Sequence, residues 1–249
     1  QPRAVSSLAI SVTSSWTAGA AQGMTVRALD QYLNIATNAT SNITLNAINS
    51  SSVEFSPSAT LALVNGVATY SLRDTVAKSG LQIRAVESGV GTQALSSSIL
   101  VKHAQAARFR DTVLVINNVK IGNSRTITAV VIDSFGNPVK DSSVTFTVIN
   151  SSGGGAITSS PTVLTDVNGR AQVQYVSGLT VGANIVSASA TNGVSGQPDS
   201  TYFTVNTTLL DANATFVTNS LTPDVVTQNQ IARFRAQFLN TQSFPITLI

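Results

Sequence analysis

The sequence contains no cysteine, so no disulfide bond holds its domains together. Small secreted domains often need disulfides, whereas a sandwich of about 100 residues can be stable on its core alone. Charged residues make up only 10 % of the chain, against roughly 25 % in an ordinary soluble protein. Ser, Thr, Asn and Gln replace them, which is common on secreted and cell-surface proteins. Because 43 % of the residues are hydrophobic, the chain can still build real cores, and we expect a folded extracellular or cell-surface protein.

Residues that carry chemistry are scarce. His103 is the only histidine, and a catalytic triad or a classical zinc site needs histidine with partners on rigid elements. We therefore expect His103 to be an exposed linker residue, and the chain to be no enzyme and to hold no cofactor. Several acidic residues fall in predicted turns, where an aspartate normally caps its own backbone. They are Asp30, Asp133, Asp141 and Asp166. The competing interpretation is a calcium site at a domain junction, although the chain has no D-x-D-x-D-G pattern.

Positive charge is neither strong nor clustered. The net charge is +3, and the densest basic stretches are the pairs Arg108/Arg110 and Arg233/Arg235. A nucleic-acid interface would need a continuous basic stripe, so we expect no nucleic-acid partner. No apolar run approaches the roughly 20 residues that a membrane-spanning helix needs, and we expect no membrane span.

A repeat of about 103 residues organises the chain. Asp30 corresponds to Asp133 and Asn34 to Asn137, each 103 positions on, and the Asn65-Gly66 pair corresponds to Asn168-Gly169 at the same spacing. The segment "ITLNAIN" likewise corresponds to "VTFTVIN", and all the matches follow one order. The repeat predicts two complete domains, 1–104 and 105–206. A third unit, 207–249, has only opening strands, because "IARFRAQFLNTQSFPITLI" resembles "RTITAVVIDSFGNPVKDSSV".

Each repeat has the pattern of short β-strands. In "SVTFTVIN" the apolar residues Val144, Phe146 and Val148 alternate with Ser and Thr, as a strand with one buried face requires. "RAQVQYV" alternates in the same way. Turn signals recur every 8–15 residues, and the three Asn-Gly pairs, at 65–66, 168–169 and 192–193, suit tight type I′ turns. The fold class that follows is all-β, with tandem immunoglobulin-like sandwiches joined by short linkers at 101–111 and 205–215.

The second repeat carries motifs of a known family. "DSFGNPVKDSSVTFTV" followed by "TDVNGRAQVQYVSGLTVGANIVSASA" resembles a bacterial immunoglobulin-like domain of the invasin/intimin type over residues 105–206. The first repeat is a divergent relative, because "DQYLNIAT" lacks the Gly and the Pro. The resemblance implies an extracellular role as a rod that holds adhesive tips away from cells. Some such domains bind directly, and others are spacers in large extracellular enzymes.

Three functions remain open at this point. The first is a surface rod or filament subunit, whose partners are other copies of itself or neighbouring Ig-like domains. The second is an accessory or carbohydrate-binding module of a secreted enzyme, and the third is an adhesin that contacts host or surface glycans. A sugar-binding face needs exposed aromatics in line, yet aromatics are 6 % of the chain. We expect most of them, including the lone Trp16, to be core residues.

The incomplete third unit allows two interpretations. If the chain ends naturally at Ile249, the segment 231–249 is a strand donated to a neighbouring subunit, because an incomplete sandwich has open edges. If the chain is a fragment, the same segment opens a third domain. The residues proposed for the inter-subunit strand are Arg233, Phe234, Phe238, Phe244 and Ile246.

Overall fold

The computed structural model describes residues 4–89, 91–111, 113–151 and 154–209. Every regular element in this part of the chain is a β-strand, so the predicted all-β class is confirmed. The strands form two sandwiches in succession, one up to Lys102 and one from Ala106. None of the described residues lies in a helix long and apolar enough to cross a membrane.

Ten strands make the first domain. They are β1 (Ser7–Val12), β2 (Ser15–Thr17), β3 (Gln22–Leu29), β4 (Asn42–Ile48), β5 (Val53–Ser56), β6 (Thr60–Ala62), β7 (Val67–Asp74), β8 (Lys78–Glu87), β9 (Gln93–Leu95) and β10 (Ile99–Lys102). One sheet has the order β1-β3-β7-β5, and the facing sheet has the order β2-β10-β8-β4-β6 with β9 beside β8. All pairs are antiparallel except β2 with β10.

Nine strands make the second domain. They are β11 (Ala106–Phe109), β12 (Val113–Lys120), β13 (Ser124–Asp133), β14 (Ser143–Asn150), β15 (Ala156–Ile157), β16 (Thr162–Leu164), β17 (Arg170–Val176), β18 (Gly182–Thr191) and β19 (Pro198–Thr208). The sheets run β11-β13-β17-β15 and β12-β19-β18-β14-β16. This order repeats that of the first domain, with the single strand β19 taking the place of β9 and β10, and with β12 parallel to β19.

Alternation along the strands explains which side chains form the cores. In β14, Val144 and Phe146 are buried and their neighbours are exposed, and β17 buries Ala171, Val173 and Tyr175, as the period of two predicts. Trp16 is only 4 % exposed and belongs to the core of the first domain, so the prediction that it is a core residue is confirmed. Each domain has its own hydrophobic cluster.

Two of the three Asn-Gly turns, 65–66 and 168–169, lie at equivalent positions of the repeat, and they differ. Asn65 (φ 52°) and Gly66 (φ 76°) both have positive φ, and Val64 and Val67 exchange both hydrogen bonds across them, which is the predicted type I′ hairpin. At the second pair only Gly169 (φ 71°) has positive φ. There the Gly169 N–H bonds to the Asp166 carbonyl and the Asp166 N–H to the Arg170 carbonyl. The type I′ prediction is therefore wrong at this site.

The cause of the difference is the aspartate before the second loop. One carboxylate oxygen of Asp166 accepts the N–H groups of Asn168 (2.8 Å) and Arg170 (2.9 Å). A three-residue loop that ends in a left-handed glycine satisfies both donors. In the first domain no aspartate precedes the Asn-Gly pair, and the two-residue hairpin forms instead.

Candidate functional site

A tight turn of the second domain, which we call the docking turn (residues 133–137), is shaped by a buried carboxylate. Asp133 has no exposed surface. Its Oδ1 accepts the N–H groups of Phe135 (2.9 Å) and Asn137 (2.8 Å), and Gly136 provides the left-handed residue at φ 89°. The predicted capping role of Asp133 is confirmed. The consequence is that Phe135 and Asn137 project from a stiff turn.

Asn137 of the docking turn connects the two domains. Its Nδ2 donates to the carbonyl of Thr75 (2.9 Å), and its Oδ1 accepts the N–H of Ala77 (2.9 Å), so both ends of the amide bind the backbone of the first domain. Nδ2 also donates to Oδ2 of Asp133 (2.8 Å). Asn137 is only 7 % exposed. An amide bound at both ends and buried specifies one orientation of the two domains, because leaving either group unsatisfied costs about 1–3 kcal/mol.

Phe135 makes the apolar part of the same contact. A Cβ atom added to Gly19 would lie 2.2 Å from Cζ of Phe135, so a side chain there would displace the ring, and the φ of 78° also favours glycine. The guanidinium carbon of Arg73 lies 5.8 Å from the ring centroid, a cation–π distance. Nε of Arg73 also donates to the carbonyl of Gly19 (2.9 Å). The surface that receives the docking turn, residues 19 and 73–78, is called the first base below.

The connection between the domains is shorter than the predicted linker. Strand β10 ends at Lys102 and β11 begins at Ala106, which leaves three residues, 103–105, outside the strands. The N–H of Ala104 donates to Oδ2 of Asp133 (2.9 Å), so the connection is also held by the docking turn. A segment this short with a bonded backbone allows little bending at the junction.

His103 is not the exposed linker residue that the sequence suggested. It is half-buried, its Nδ1 lies 2.8 Å from the carbonyl of Ala104, and its Nε2 accepts the N–H of Lys140 at 3.2 Å. Since Nε2 accepts a hydrogen bond, Nδ1 carries the proton and donates to Ala104. The prediction failed because it placed His103 in an extended linker, whereas the short connection presses the ring against the second domain.

A buried ion pair stiffens the first base. The carboxylate of Asp74 has no exposed surface and lies 3.3 Å from Nζ of Lys78. Burial by itself raises the pKa of Asp74, but hydrogen bonds from Ser52, the Val76 N–H and Ser50, with the Lys78 charge, outweigh it and hold the pKa below its ordinary value. The backbone segment 75–77, which binds Asn137, therefore directly follows Asp74, a residue that the ion pair and these hydrogen bonds hold in place.

The first domain repeats the docking turn at residues 30–34, which we call the outer turn. Oδ1 of Asp30 accepts the N–H groups of Tyr32 (2.8 Å) and Asn34 (3.0 Å), which confirms its capping role. The N–H of Leu33 bonds to the Asp30 carbonyl at 3.0 Å, as the N–H of Gly136 bonds to Asp133 at 3.1 Å. The backbone frame is the same, but Asn34 is exposed whereas Asn137 is buried.

The sequence pointed to only part of this junction. The repeat spacing singles out Asp133 and Asn137, but it does not predict their contact with the first domain, nor a role for Phe135, Gly19 and Arg73. The one sequence signal for this contact is an aromatic residue, Phe135, close to Asn137 in a turn that Asp133 caps. The residues proposed for an inter-subunit strand, Arg233, Phe234, Phe238, Phe244 and Ile246, lie outside the described residues, and that proposal stays a prediction.

The described residues offer little for chemistry. Within the ranges that the structure covers, no three His, Cys, Asp or Glu side chains come together as a metal site would require. The cavity at Phe109 and Asp199 has a volume of about 10 Å³, far below the 300–1,000 Å³ or so of a ligand pocket.

Comparison with solved structures finds similar chains of low identity. The D0-D1 domain of intimin is 18 % identical, with 82 % of this chain and 98 % of that chain covered and a TM-score of 0.32. The Escherichia coli adhesin FdeC is 17 % identical, with 82 % and 66 % covered and a TM-score of 0.46. Domains 4 and 5 of the S-layer protein SbsC are 15 % identical, with 82 % and 98 % covered and a TM-score of 0.35. No curated protein matches the chain.

The family model of the bacterial Ig-like domain (group 1) matches residues 122–204, about a third of the chain. The match begins at Gly122, two residues before β13, and ends within β19, so it spans strands β13 to β18 and the docking turn. It agrees with the motifs that the second repeat shows in order. The second domain of this chain is therefore a bacterial Ig-like domain of group 1.

Proposed function

We propose that this chain is part of an extracellular structural or adhesive protein, a surface rod or filament subunit built from Ig-like repeats. The observation that carries the proposal is the junction, where Asn137 binds Thr75 and Ala77 of the first domain with both ends of its amide. A flexible tether between two binding modules needs no such contact. A spacer that transmits force or holds a tip at a distance does.

The surface chemistry supports this role. Sheet faces turned to solvent carry neutral hydrogen-bonding side chains that bond to one another, such as Gln174 to Thr126 (2.9 Å) and Gln172 to Thr128 (3.0 Å). Such ladders need no counter-charge and do not depend on ionic strength. They suit a domain that is exposed to a variable medium. The proposal includes no catalytic step and no cofactor.

The carbohydrate-module alternative has no comparable support. Trp16, the residue whose ring would be the first choice for stacking on a sugar, is buried. The exposed aromatics among the described residues are Tyr32, Phe135 and Tyr202, and Phe135 is already in contact with the first base. Direct adhesion to a host surface stays a second possible use of the same rod.

The rigidity of the junction can be measured by dipolar spectroscopy between two spin labels. Because the chain has no cysteine, Ser98→Cys and Ser200→Cys place one label on an exposed position in each domain. We expect a single narrow distance distribution in the parent protein. Asn137→Ala should broaden it, because the two interdomain hydrogen bonds of the amide are lost, and Asn34→Ala is the matched control that should leave it narrow.

The contrary result would be a broad distribution in the parent protein, unchanged by Asn137→Ala. Location is tested separately on intact cells that produce the protein, with antibodies against the folded chain. Labelling before lysis supports a surface role. Labelling that appears only after lysis would rule it out.

A further inference from the structure

The three Asn-Gly pairs of the chain lie in three different backbone settings. Asparagine is a chemically labile residue, and it loses its side-chain amide most readily before glycine, because glycine has no Cβ to shield the backbone nitrogen that attacks. In that reaction the nitrogen of the following residue bonds to Cγ of the asparagine. The peptide group between the two residues must therefore be able to turn its nitrogen toward the side chain.

The peptide group between Asn65 and Gly66 is held by no hydrogen bond. Among the described residues, none donates to the Asn65 carbonyl and none accepts the Gly66 N–H. The turn is closed by the two bonds between Val64 and Val67, at 2.9 and 3.0 Å, which form an isolated bridge. The Gly66 carbonyl accepts the N–H of Ala28 at 2.9 Å. The backbone is thus fixed on both sides of a peptide group that can rotate.

Rotation of this peptide group converts one two-residue hairpin turn into the other. In the type I′ turn of the structure, ψ of the first central residue is about 30°, and in a type II′ turn it is about −120°. At the second value the Gly66 nitrogen, rather than the carbonyl oxygen, faces the Asn65 side chain. The bonds between Val64 and Val67 are kept, so the reactive form is a minor state that costs no hydrogen bond.

Packing requires glycine at position 66 and leaves Asn65 in contact with water. A Cβ atom added to Gly66 would lie 2.5 Å from the carbonyl oxygen of Ala36, and the φ of 76° also favours glycine. Asn65 is exposed. The fold therefore preserves the most reactive partner for this asparagine and gives water access to its amide.

The second pair, Asn168-Gly169, is equally exposed at its asparagine but is held more firmly. The Gly169 N–H donates to the Asp166 carbonyl at 2.9 Å, and the Asn168 N–H donates to the Asp166 carboxylate at 2.8 Å. Rotation of the peptide group between Asn168 and Gly169 breaks the first of these bonds. Exposure therefore does not distinguish the first two sites, whereas hydrogen bonding does.

The third pair, Asn192-Gly193, is held at both ends of its peptide group. The Gly193 N–H donates to the Ala106 carbonyl and the Asn192 carbonyl accepts the N–H of Gly196, both at 2.7 Å. Nδ2 of Asn192 also donates to the Ala107 carbonyl (2.5 Å). Neither residue of this pair has a positive φ, so the type I′ prediction is wrong here too. Rotation at this site breaks two backbone bonds.

We propose that Asn65 is a site of spontaneous deamidation, with water as the only co-reactant. The Gly66 nitrogen gives its proton to base and bonds to Cγ of Asn65, and the bond from Cγ to Nδ2 breaks as ammonia leaves. The succinimide that forms takes up water at one of its two carbonyl groups and opens to aspartate or isoaspartate. Nothing is oxidised or reduced. The inference goes beyond the proposed structural role and does not depend on it.

The products change the turn in two ways. Either one replaces a neutral side chain with a carboxylate, in a chain of which only 10 % is charged. Isoaspartate also adds a methylene group to the backbone of a two-residue turn. The modification is therefore a covalent record of the age of the folded protein.

Peptide mapping of the folded chain after incubation at mildly alkaline pH compares the three sites in one sample. Digestion at acidic pH and mass spectrometry give the modified fraction at each Asn-Gly pair, and enzymatic methylation identifies isoaspartate. Each hydrogen bond that must break should slow the reaction roughly two- to tenfold. We expect Asn65 to react first, Asn168 roughly two- to tenfold more slowly and Asn192 about 100-fold more slowly at most.

Two controls separate the structural explanation from the sequence. In the chain unfolded by guanidinium the three sites should react at similar rates, because all three are followed by glycine. In folded Asn65→Gln the early mass gain of the intact protein should disappear, since glutamine would need a six-membered ring. The proposal is overturned if Asn65 reacts no faster than Asn168 in the folded chain, if the same order persists in guanidinium, or if Asn65→Gln keeps the early mass gain.

Discussion

The outer turn and the docking turn have the same backbone and opposite surroundings. Both are capped by an aspartate whose Oδ1 accepts two backbone N–H groups. Yet Asn137 is 7 % exposed and bound to the preceding domain, while Asn34 is exposed. Local sequence is enough to make the turn, whereas its contact with another domain depends on residues that lie far away in the sequence. Four experiments test the differences between the two domains.

The largest effect is expected at the first base and at the equivalent surface of the second domain. Asp74→Ala should lower the free energy of unfolding of the first domain by about 3 kcal/mol, because it leaves the half-buried Lys78 without its carboxylate. Ser177→Ala, at the equivalent position of the second domain, removes one hydrogen bond to the Lys120 carbonyl (2.7 Å) and should cost about 1 kcal/mol in that domain.

Trp16 makes the Asp74 experiment specific, since the only tryptophan belongs to the first domain. The urea midpoint of the Trp16 fluorescence change should decrease in Asp74→Ala. It should stay the same in Ser177→Ala, which alters the other domain. An equal shift of the Trp16 midpoint in both variants would show that the two domains unfold as one unit.

Acid should weaken the first domain through the same carboxylate. The pKa of Asp74 in the folded protein lies below its ordinary value, so its contribution to stability is complete above the pKa of the unfolded state, about 3.9. It is lost as the pH falls through the lower folded-state pKa. The urea midpoint read by Trp16 fluorescence should therefore decrease once the pH is below about 4. Asp74→Asn should have a lower urea midpoint than the parent protein at neutral pH, and its midpoint should decrease less on acidification.

Exchange of the turn residues should shift stability in opposite directions. Leu33→Gly relieves a left-handed leucine and should stabilise the first domain by about 1 kcal/mol, whereas Gly136→Leu should destabilise the second by about the same amount or more. Thermal unfolding followed by calorimetry measures both. If the two changes had the same sign, the two turns would not share the backbone described for them.

The smallest difference is expected at the Asn-Gly hairpins. Asn65→Ala should cost about 1 kcal/mol, because residue 65 has a φ of 52°, where asparagine is tolerated better than alanine. Asn168→Ala should stay within about 0.5 kcal/mol, since only Gly169 in that loop is left-handed. Urea titration of each variant, followed by a signal from the domain that carries the substitution, checks this order.

Much of the fold was predictable because it depends on local patterns. Alternation in β14 and β17 correctly gave their buried faces, and a spacing of 103 residues aligned turns that the structure shows to be equivalent. The prediction for Asn168-Gly169 failed because the turn type depends on the carboxylate of Asp166, which competes for the loop N–H groups. Only the folded geometry shows which donors a side chain reaches.

The functional surface was less predictable than the fold. Asp133 was expected to cap its own turn, and it does, but the contact of Asn137 with residues 75 and 77 joins positions about 60 apart in sequence. No pattern within one repeat signals a contact between two repeats. The same reason explains the misplacement of His103, whose environment comes from Lys140 of the second domain.

Residue type and spacing are enough to predict the all-β class, the repeat, the capped turns and the bacterial Ig-like motifs of the second domain. That one of two like turns is buried against a neighbouring domain while the other is exposed follows from tertiary contacts alone. The physical reason is that hydrogen bonds and apolar contacts between domains depend on how the three residues 103–105 orient two finished sandwiches.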